Sequence, residues 1–427
     1  MSRVPRRLLR TLLTAACLLA LAPGCGTSAP APLVVLGPWT GAEGDAFEAA
    51  LERLDDGTGR TYTYEGTSSL RETLVSQLEA GDPPDVAILN SMGELTEYAR
   101  RGRLRPLAEE TAERASPPWA QTLLVDGRRR TYWVPLKVDL KSLVWSRKGA
   151  SDDDPAWCVG LASQATSGWP GTDWIEDILL HQAGPALYTE WATSRLSWRD
   201  PAVHRAWTTW SRLLGKRSPA SVERSLTTSY EGTAGPHGRP RGLLGSPGPA
   251  CTHEHQSAFI RYVYAGTGIG VEPSAPFLEG RAEYRGAYEV SGDMAAVFSD
   301  DPAAQELVER LSNPHGRALW RAKADPAVRP LFPSSTGPTP TNPTERTIDT
   351  LLTSGARTLC FDASDAMPPE LRDAFHRAVL EFFRDPAEQH LDSLLRQLET
   401  VRAQVTDQSP ADRSFRPPED LCASPGG

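Results

Sequence analysis

The sequence lacks the short motifs that mark common catalytic and metal sites. It contains no Cys-x-x-Cys pair, no Gly-x-Ser-x-Gly elbow, no glycine-rich phosphate loop and no Ser, His and Asp pattern typical of hydrolases. Basic residues are also in the minority, with 45 Lys and Arg against 54 Asp and Glu. Because nucleic acid attracts the opposite charge, we expect no nucleic-acid partner. We also expect neither a metal ion nor a cofactor.

One triplet contains two histidines that are close enough to be considered as zinc ligands. His253 and His255 flank Glu254, but no other spacing in the sequence completes a zinc site. The preceding residues, 231–250, are rich in Gly and Pro and have no regular hydrophobic period. We therefore interpret the triplet as part of a loop with solvated side chains.

The N-terminal segment has the pattern of an export signal. Residues 1–24 carry four arginines and an apolar run, Leu8 to Leu21, that is too short to span a bilayer comfortably. The following Ala-Pro-Gly-Cys-Gly resembles a bacterial lipobox, which implies cleavage before Cys25 and a lipid on its sulfur. Removal of the four arginines changes the formal net charge from −9 to −13. We expect a protein anchored by lipid on the extracytoplasmic face of the cell membrane, with residues 25–32 as a tether.

The remaining cysteines predict two disulfide bonds. Four of them lie beyond the signal and the lipid site, an even number in an oxidising compartment. The sequence allows three pairings. We prefer Cys158 with Cys251, because both lie in what reads as one lobe, and Cys360 with Cys422, because this bond would hold a loose tail.

The chain is too long for a single hydrophobic core and begins with three β-α units. Three apolar or alternating segments read as strands. Each is followed by a capping box, which begins at Thr40, Ser69 or Ser91, and then by an apolar helical stripe. This order predicts an α/β fold with a mainly parallel sheet. Ligands of such sheets bind beyond the carboxyl ends of the strands, where Trp39, Glu43 and Glu65 lie.

Two later segments read as strands that cross between lobes. Residues 132–145 alternate apolar side chains with the charged Lys137, Asp139 and Lys141, which predicts either an exposed edge strand or the lining of a wet groove. Residues 288–298 form a second β segment with a Gly-Asp break at Asp293. We interpret these segments as the outward and return crossings.

The stretch S-G-W-P-G-T-D-W-I-E-D-I-L-L predicts a turn followed by a helix that Thr172 caps. Trp169 would lie in the turn, while Trp174 follows the helical apolar repeat. An indole beside a carboxylate, here Asp173, suits a sugar, because the apolar sugar face stacks on the ring and the hydroxyls bond to the acid. The alternative is a buried tryptophan that fixes the helix to its neighbour.

Several motifs together resemble a known family. G-P-W-T-G-A-E-G, Y-E-G, P-P-D-V-A, K-V-D-L-K-S-L-V-W, W-C-V-G, the tryptophan stretch, Q-S-A-F-I, G-D-M-A-A-V-F and F-D-A-S-D-A-M-P run in the same order as in extracellular solute-binding lipoproteins of carbohydrate ABC transporters. Within that family they are similar to the α-glucoside-binding branch. The resemblance covers roughly residues 33–400. It implies a two-lobed periplasmic-binding-protein type II fold, as in maltose-binding protein, with crossing hinge strands and a ligand cleft between the lobes.

The resemblance and the strand pattern together define the expected domains and site. The predicted boundaries are 1–24 for the signal peptide, 25–32 for the tether, 33–136 and 291–345 for the N-terminal lobe, 137–290 and 346–406 for the C-terminal lobe, and 407–427 for the C-terminal tail. The candidate ligand-binding residues are Trp39, Glu43, Glu65, Lys137, Asp139, Trp169, Asp173, Trp174, Asp293 and Asp362.

Two functions fit these residues. The first is a monomeric binding protein that delivers an oligosaccharide, an α-glucoside by resemblance, to the permease subunits of an ABC transporter. The second is an exported glycoside hydrolase, since paired carboxylates near tryptophans also suit that chemistry. The acids at helix starts and in a loop are explained by capping and hydroxyl binding, so we predict a binding protein and not an enzyme.

Overall fold

The computed structural model describes residues 31–54, 60–235, 239–246, 251–334, 340, 342–408 and 417–424. The predicted signal peptide and the lipid site at Cys25 lie outside these residues, as do most of the tether and parts of the C-terminal tail. Among the described helices, none combines the length and the apolar character that crossing a lipid bilayer requires.

The described residues form a mixed α/β fold, as the sequence predicts. The strands are β1 (Leu33–Gly37), β2 (Tyr62–Gly66), β3 (Val86–Leu89), β4 (Leu123–Val125), β5 (Arg128–Arg130), β6 (Trp133–Leu140), β7 (Leu143–Ser146), β8 (His253–His255), β9 (Gly270–Pro273), β10 (Ala287–Val297), β11 (Thr358–Phe361) and β12 (Cys422–Ala423). The helices are α1 (Gly41–Leu51), α2 (Leu70–Ala80), α3 (Met92–Arg100), α4 (Glu109–Ala112), α5 (Trp169–Ala192), α6 (Pro201–Leu214), α7 (Pro219–Thr227), α8 (Gly242–Gly245), α9 (Arg261–Tyr264), α10 (Pro302–Ser312), α11 (Pro314–Lys323), α12 (Pro343–Thr353), α13 (Ala363–Ala366), α14 (Pro369–Arg384) and α15 (Glu388–Gln408).

The largest sheet has the strand order β12-β11-β10-β3-β1-β2, and β6 pairs with β10 beside this path. Strands β1, β2 and β3 are parallel, which agrees with the three predicted β-α units. A smaller antiparallel sheet has the order β8-β7-β9. With the boundaries predicted from the sequence, β1 to β3 fall in the N-terminal lobe, and β7 to β9, β11 and helices α5 and α14 fall in the C-terminal lobe.

Strands β6 and β10 pair antiparallel along most of their length and connect the two lobes. One end of β10 pairs with β3 of the N-terminal lobe, while its other end pairs with β11 of the C-terminal lobe. Gly292 lies midway, where an added Cβ atom would come within 2.7 Å of the Trp119 side chain and 3.2 Å of the Lys137 carbonyl oxygen. The glycine therefore allows the crossing strands to pack closely. The exact division of the chain between the lobes stays a prediction.

Two disulfide bonds are present, Cys158–Cys251 and Cys360–Cys422, and both are the pairs preferred from the sequence. The first joins residues 93 positions apart within the C-terminal lobe. The second connects β11 to the two-residue strand β12, so it holds the C-terminal segment on the edge of the large sheet. Cross-links of this kind stabilise the fold by restricting the unfolded chain.

Only one of the three predicted capping boxes has its capping hydrogen bond. The Ser91 hydroxyl accepts from the Glu94 amide at the start of α3, as predicted. Thr40 and Ser69 do occupy the N-cap positions of α1 and α2, but neither side chain caps its helix. The sequence pattern thus located the helix starts correctly without determining the side-chain geometry.

The prediction of a solvated loop at His253–His255 is wrong. These residues form strand β8, and all three side chains are buried. His255 Nε2 lies 2.8 Å from Asp177 Oδ2 of α5, and the Tyr264 hydroxyl donates to Glu254. Partners from α5 and α9 therefore compensate for the burial of polar groups that the sequence alone places in solvent.

Burial of Glu254 makes the stability of the protein depend on pH. Burial raises the pKa of this carboxyl from its ordinary 4.5 to about 8, although the Tyr264 hydrogen bond opposes the shift. Between these two values the folded protein keeps a proton that the unfolded chain loses, so the contribution to stability falls as pH rises through this window.

We expect Glu254→Gln to be increasingly more stable than the wild type as the pH rises from 5 to about 8. The difference in unfolding free energy between the variant and the wild type grows by at most about 1.4 kcal/mol for each pH unit between the two pKa values. Urea unfolding of both proteins across this range gives the difference directly. A difference in unfolding free energy that stays constant with pH would show that Glu254 keeps an ordinary pKa.

Candidate functional site

A cleft of about 1290 Å³ lies between the lobes, over the crossing strands β6 and β10. The N-terminal lobe lines it with the β1–α1 connection, the residues before α2 and the end of β3. The C-terminal lobe contributes the segment leading into α5, the residues around Tyr230 and Phe259, and the start of α14. The cleft exceeds the roughly 300–1,000 Å³ typical of drug-sized ligands, so it has room for a ligand of more than one sugar ring.

The N-terminal side of the cleft contains a charge cluster centred on Lys137. Its Nζ lies 2.6 Å from Glu43 Oε1, 3.6 Å from Asp139 Oδ2 and 3.8 Å from Asp293 Oδ2. The Lys137 side chain is only 7% exposed. Of the two interpretations of the charged strand, an exposed edge and a groove lining, the structure agrees with the groove lining.

Burial and neighbouring charges shift the pKa values in this cluster. Burial raises the pKa of Asp293 to about 6, with Asp139 and Glu43 adding to the rise and Lys137 opposing it. Burial alone would lower the pKa of Lys137, but the three carboxylates outweigh it and hold the pKa above its usual range. The charge of Lys137 therefore opposes the rise that burial causes in the pKa of Asp293.

Trp39 reaches the cleft without offering a free ring face. Its ring centroid lies 4.8 Å from that of Phe47 and 4.6 Å from that of Trp320, in the core of the N-terminal lobe. The indole Nε1 donates to Asp293 Oδ2 at 2.8 Å. Trp39 thus holds an acid of the charge cluster, and only 3% of its own surface is exposed.

The start of α5 differs from the prediction. The helix begins at Trp169, and its N-cap Gly168 lies four residues before the predicted cap Thr172, whose hydroxyl donates to the Trp169 carbonyl instead. Pro170 is compatible with a first helical turn, so the Trp-Pro-Gly sequence starts the helix rather than preceding it. Gly168 has a φ of 109°, and an added Cβ atom would lie 2.3 Å from the His376 carbonyl oxygen. This close approach fixes the helix start against α14.

Trp169 forms an aromatic wall with two residues that the sequence analysis did not nominate. Its ring centroid lies 4.9 Å from that of Tyr230 and 5.8 Å from that of Phe259, and all three line the cleft. The Lys141 ammonium lies 5.5 Å from the Trp169 ring centre. Tyr230 lies directly before the stretch 231–250, which has no regular hydrophobic period, whereas Phe259 belongs to the Q-S-A-F-I motif. That motif is the only sequence signal for these two residues.

The other nominated residues lie at different depths. Asp362 lines the cleft at the N-cap of α13, where its Oδ1 accepts from the Ser364 hydroxyl and from the Asp365 amide. Asp173 is 3% exposed, does not line the cleft, and accepts from the cleft residue Lys141 at 2.9 Å, so it positions that ammonium. Glu65 is not among the described residues that line the cleft; it accepts from Gln77 on the outside of β2.

Trp174 also lies away from the cleft. It is 2% exposed and packs against Trp157, with ring centroids 4.7 Å apart, and against His255 at 4.6 Å. Its helical spacing predicted this core position, although the family motif suggested a place near the ligand.

Ion pairs at the cleft join helices α2 and α3 to helix α14. Glu94 of α3 accepts from Arg372 of α14 at 2.5 Å, and Arg71 of α2 donates to Asp373 at 2.9 Å. Arg71 and Arg372 also line the cleft, and neither was nominated from the sequence. Because the paired residues are 278 and 302 positions apart in the chain, no local pattern identifies these pairs.

Comparison with known proteins gives one family match. Residues 38–224 match the model of the family described as bacterial extracellular solute-binding protein. The chain is 28% identical over 391 residues to the alpha-glucosides-binding periplasmic protein AglE of Rhizobium meliloti, which covers 82% of this chain and 83% of that protein. It is 29% identical over 374 residues to the osmoprotective compounds-binding protein GgtB of Synechocystis sp., covering 79% of this chain and 84% of that protein.

The fold is also found among solved structures. A chitin oligosaccharide binding protein superposes with a TM-score of 0.61 at 14% identity, covering 88% of this chain and all of that chain (100%). Identity at this level supports the fold alone. The predicted two-lobed α/β fold is therefore confirmed.

Proposed function

We propose that the chain is a bacterial extracellular solute-binding protein, because residues 38–224 match the model of that family, and that it binds an oligosaccharide of the α-glucoside class in the interlobe cleft. It is the solute-binding component of an ABC importer of sugars. The proposed ligand class follows the relative named for alpha-glucosides, which is similar over most of both chains.

One arrangement carries this proposal, namely the aromatic wall that faces the cleft opposite the Lys137 charge cluster. The wall of Trp169, Tyr230 and Phe259 offers apolar surface for the faces of sugar rings. Glu43 and Lys137 supply an acceptor and a donor for hydroxyl groups. A cleft with both surfaces binds a neutral, polyhydroxylated ligand without requiring a chemical step.

The alternative of an exported glycoside hydrolase is not supported. The matched family and both relatives are binding proteins, not enzymes. In addition, Asp173 and Asp362 both bond to Lys141, so the structure uses these acids to hold an ammonium ion. Neither acid is left to protonate a glycosidic oxygen or to attack a sugar.

A thermal-shift screen of the purified protein tests the proposed ligand class. The screen compares maltose, trehalose and sucrose with the β-linked cellobiose. A ligand that binds only the folded state at about a hundred times its dissociation constant adds about 2.7 kcal/mol of stability. We expect at least one α-glucoside to raise the unfolding midpoint more than cellobiose does. If no sugar shifts the midpoint, the proposal fails.

We further propose that a lipid on Cys25 holds the mature chain at the membrane beside the permease subunits. The mature protein is proposed to act as a monomer. The support is the lipobox resemblance in a segment outside the described residues. Cys25→Ser is expected to move the protein from the membrane fraction to the medium or to leave the precursor uncleaved, because this sulfur carries the anchor. Fractionation and mass measurement check this, and a variant of mature size that stays membrane-bound contradicts it.

A further inference from the structure

A group of four buried carboxylates lies behind the cleft floor. Asp173 and Glu176 come from the first turns of α5, Glu289 from the crossing strand β10, and Asp362 from the residue that follows β11. One oxygen from each carboxylate lies within 4.8 Å of the others. All four side chains are at most 3% exposed. Water therefore contributes little to the solvation of these groups.

The positive charge beside these carboxylates is too small to balance them. Lys141 contacts Asp173 at 2.9 Å and also contacts Asp362. No lysine or arginine of the described residues forms an ion pair with Glu176 or Glu289. If all four acids are ionised, one ammonium leaves three negative charges without compensation, and burial makes such charge costly.

Glu289 is the observation that points to a bound ligand. Within the described residues, neither oxygen of its carboxylate has a hydrogen-bond partner, although the residue is 0% exposed and one oxygen belongs to the group of four. Glu176 Oε1 is similarly unpartnered, while its Oε2 accepts from the amides of Ala363 and Ser364 at 2.7 and 3.1 Å. Buried carboxylate oxygens of this kind require a cation or a proton.

We propose that Asp173, Glu176, Glu289 and Asp362 bind a divalent cation, and that Ca²⁺ is the ion of best fit. Calcium binds oxygen ligands at about 2.3–2.6 Å, so oxygens on opposite sides of the ion lie up to roughly 5 Å apart. The 4.8 Å limit observed here agrees with that span. Magnesium needs shorter bonds and usually keeps several waters, which a buried, all-carboxylate site accommodates poorly.

The position of the ligands predicts what the ion does. They join a crossing strand to the first turns of α5 and to the start of α13, so the ion links the hinge to the C-terminal lobe. Lys141 directly follows the other crossing strand, β6, and contacts two of these acids, Asp173 and Asp362. The ion is therefore expected to stabilise the fold, and this role does not depend on which solute the cleft binds.

Calorimetric titration and thermal unfolding of the purified protein test the site. After dialysis against EDTA, CaCl₂, MgCl₂ and MnCl₂ are each added in the absence of sugar. We expect one Ca²⁺ to bind per chain, to raise the unfolding midpoint by several degrees at about a hundred times the dissociation constant, and to bind more tightly than Mg²⁺. If none of the three metals binds or shifts the midpoint, protons and not a metal neutralise the carboxylates, and the proposal is wrong.

Glu289→Gln keeps the side-chain shape and removes one ligand charge. We expect Ca²⁺ affinity to fall by more than about tenfold, since even supporting residues of metal sites contribute that much. Glu254→Gln is the matched control, because Glu254 is also buried but bonds to Tyr264 away from the carboxylate group. Its Ca²⁺ affinity should equal that of the wild type. Glu176→Gln is the second variant if Glu289→Gln does not fold.

The variants also show where any bound calcium lies. If Ca²⁺ binds the wild type and Glu289→Gln equally well, the ion occupies another site and the assignment is wrong. The same conclusion follows if Glu254→Gln weakens Ca²⁺ binding as much as Glu289→Gln does.

Discussion

Trp169→Ala is expected to weaken binding of the preferred sugar about tenfold to a hundredfold while leaving the protein folded. Loss of an aromatic contact surface typically costs on the order of 1–3 kcal/mol of binding free energy. The ring lies at the cleft surface with Tyr230 and Phe259, at the first residue of α5. Its removal takes away stacking surface but leaves the buried face of the helix unchanged. Calorimetric titration measures the loss of affinity.

Trp174→Ala is the matched control for this prediction. The ring is 2% exposed and packed between Trp157 and His255, so we expect its removal to cost about 3–5 kcal/mol of unfolding free energy. Urea unfolding of both variants separates lost packing from lost binding. If Trp169→Ala is destabilised as much as Trp174→Ala, the indole of Trp169 serves the core and the proposed stacking role is wrong.

Lys137→Met is expected to reduce the unfolding free energy by about 3–5 kcal/mol at pH 7. The substitution keeps most of the side-chain volume but leaves Glu43, Asp139 and Asp293 without their shared ammonium. Breaking a buried ion pair by removing one partner costs this much, because an uncompensated charge stays buried. Urea unfolding gives the free-energy difference.

Asp293→Asn in the Lys137→Met background is the control. It removes one of the uncompensated charges, so part of the lost stability should return. The loss caused by Lys137→Met should also be smaller at pH 5, which lies below the pKa of about 6 that Asp293 has beside the lysine. Unfolding free energies that are equal for Lys137→Met and the wild type would mean that the charge cluster contributes nothing to stability.

The features predicted correctly from the sequence are those that a local period or a local motif encodes. The β-α order of the N-terminal lobe follows from short apolar runs, each followed by a helical stripe. The crossing strands follow from the alternation of charged and apolar residues around Lys137 and from the break at Gly292. The helical repeat of α5 correctly indicated a core position for Trp174, although the family resemblance made it a candidate ligand-binding residue.

The features that were missed depend on contacts between distant segments. The start of α5 was placed too late because Trp-Pro-Gly reads as a turn, whereas Pro170 occupies the first helical turn. The aromatic wall brings Trp169 together with Tyr230 and Phe259, which are more than 60 residues further along the chain and lack a regular period.

The buried polar groups were the least accessible to sequence reasoning. Glu254 and its neighbouring histidines were placed in a solvated loop because the partners of His255 on α5 and of Glu254 on α9 are not adjacent in sequence. The four-carboxylate group likewise combines residues from α5, β10 and the end of β11, so its members have no metal-ligand spacing that a motif could describe. Tertiary structure alone brings these acids together.

The most direct test of the account is a calorimetric titration of the wild-type protein with the α-glucoside that gives the largest thermal shift, followed by chromatography of the recovered sugar. The account predicts saturable binding of one sugar per chain and recovery of the sugar unchanged, because the cleft acids hold lysine ammonium groups rather than performing chemistry. Failure to detect binding, or recovery of hydrolysed sugar, would contradict the assignment of this chain as a sugar-binding component of an importer.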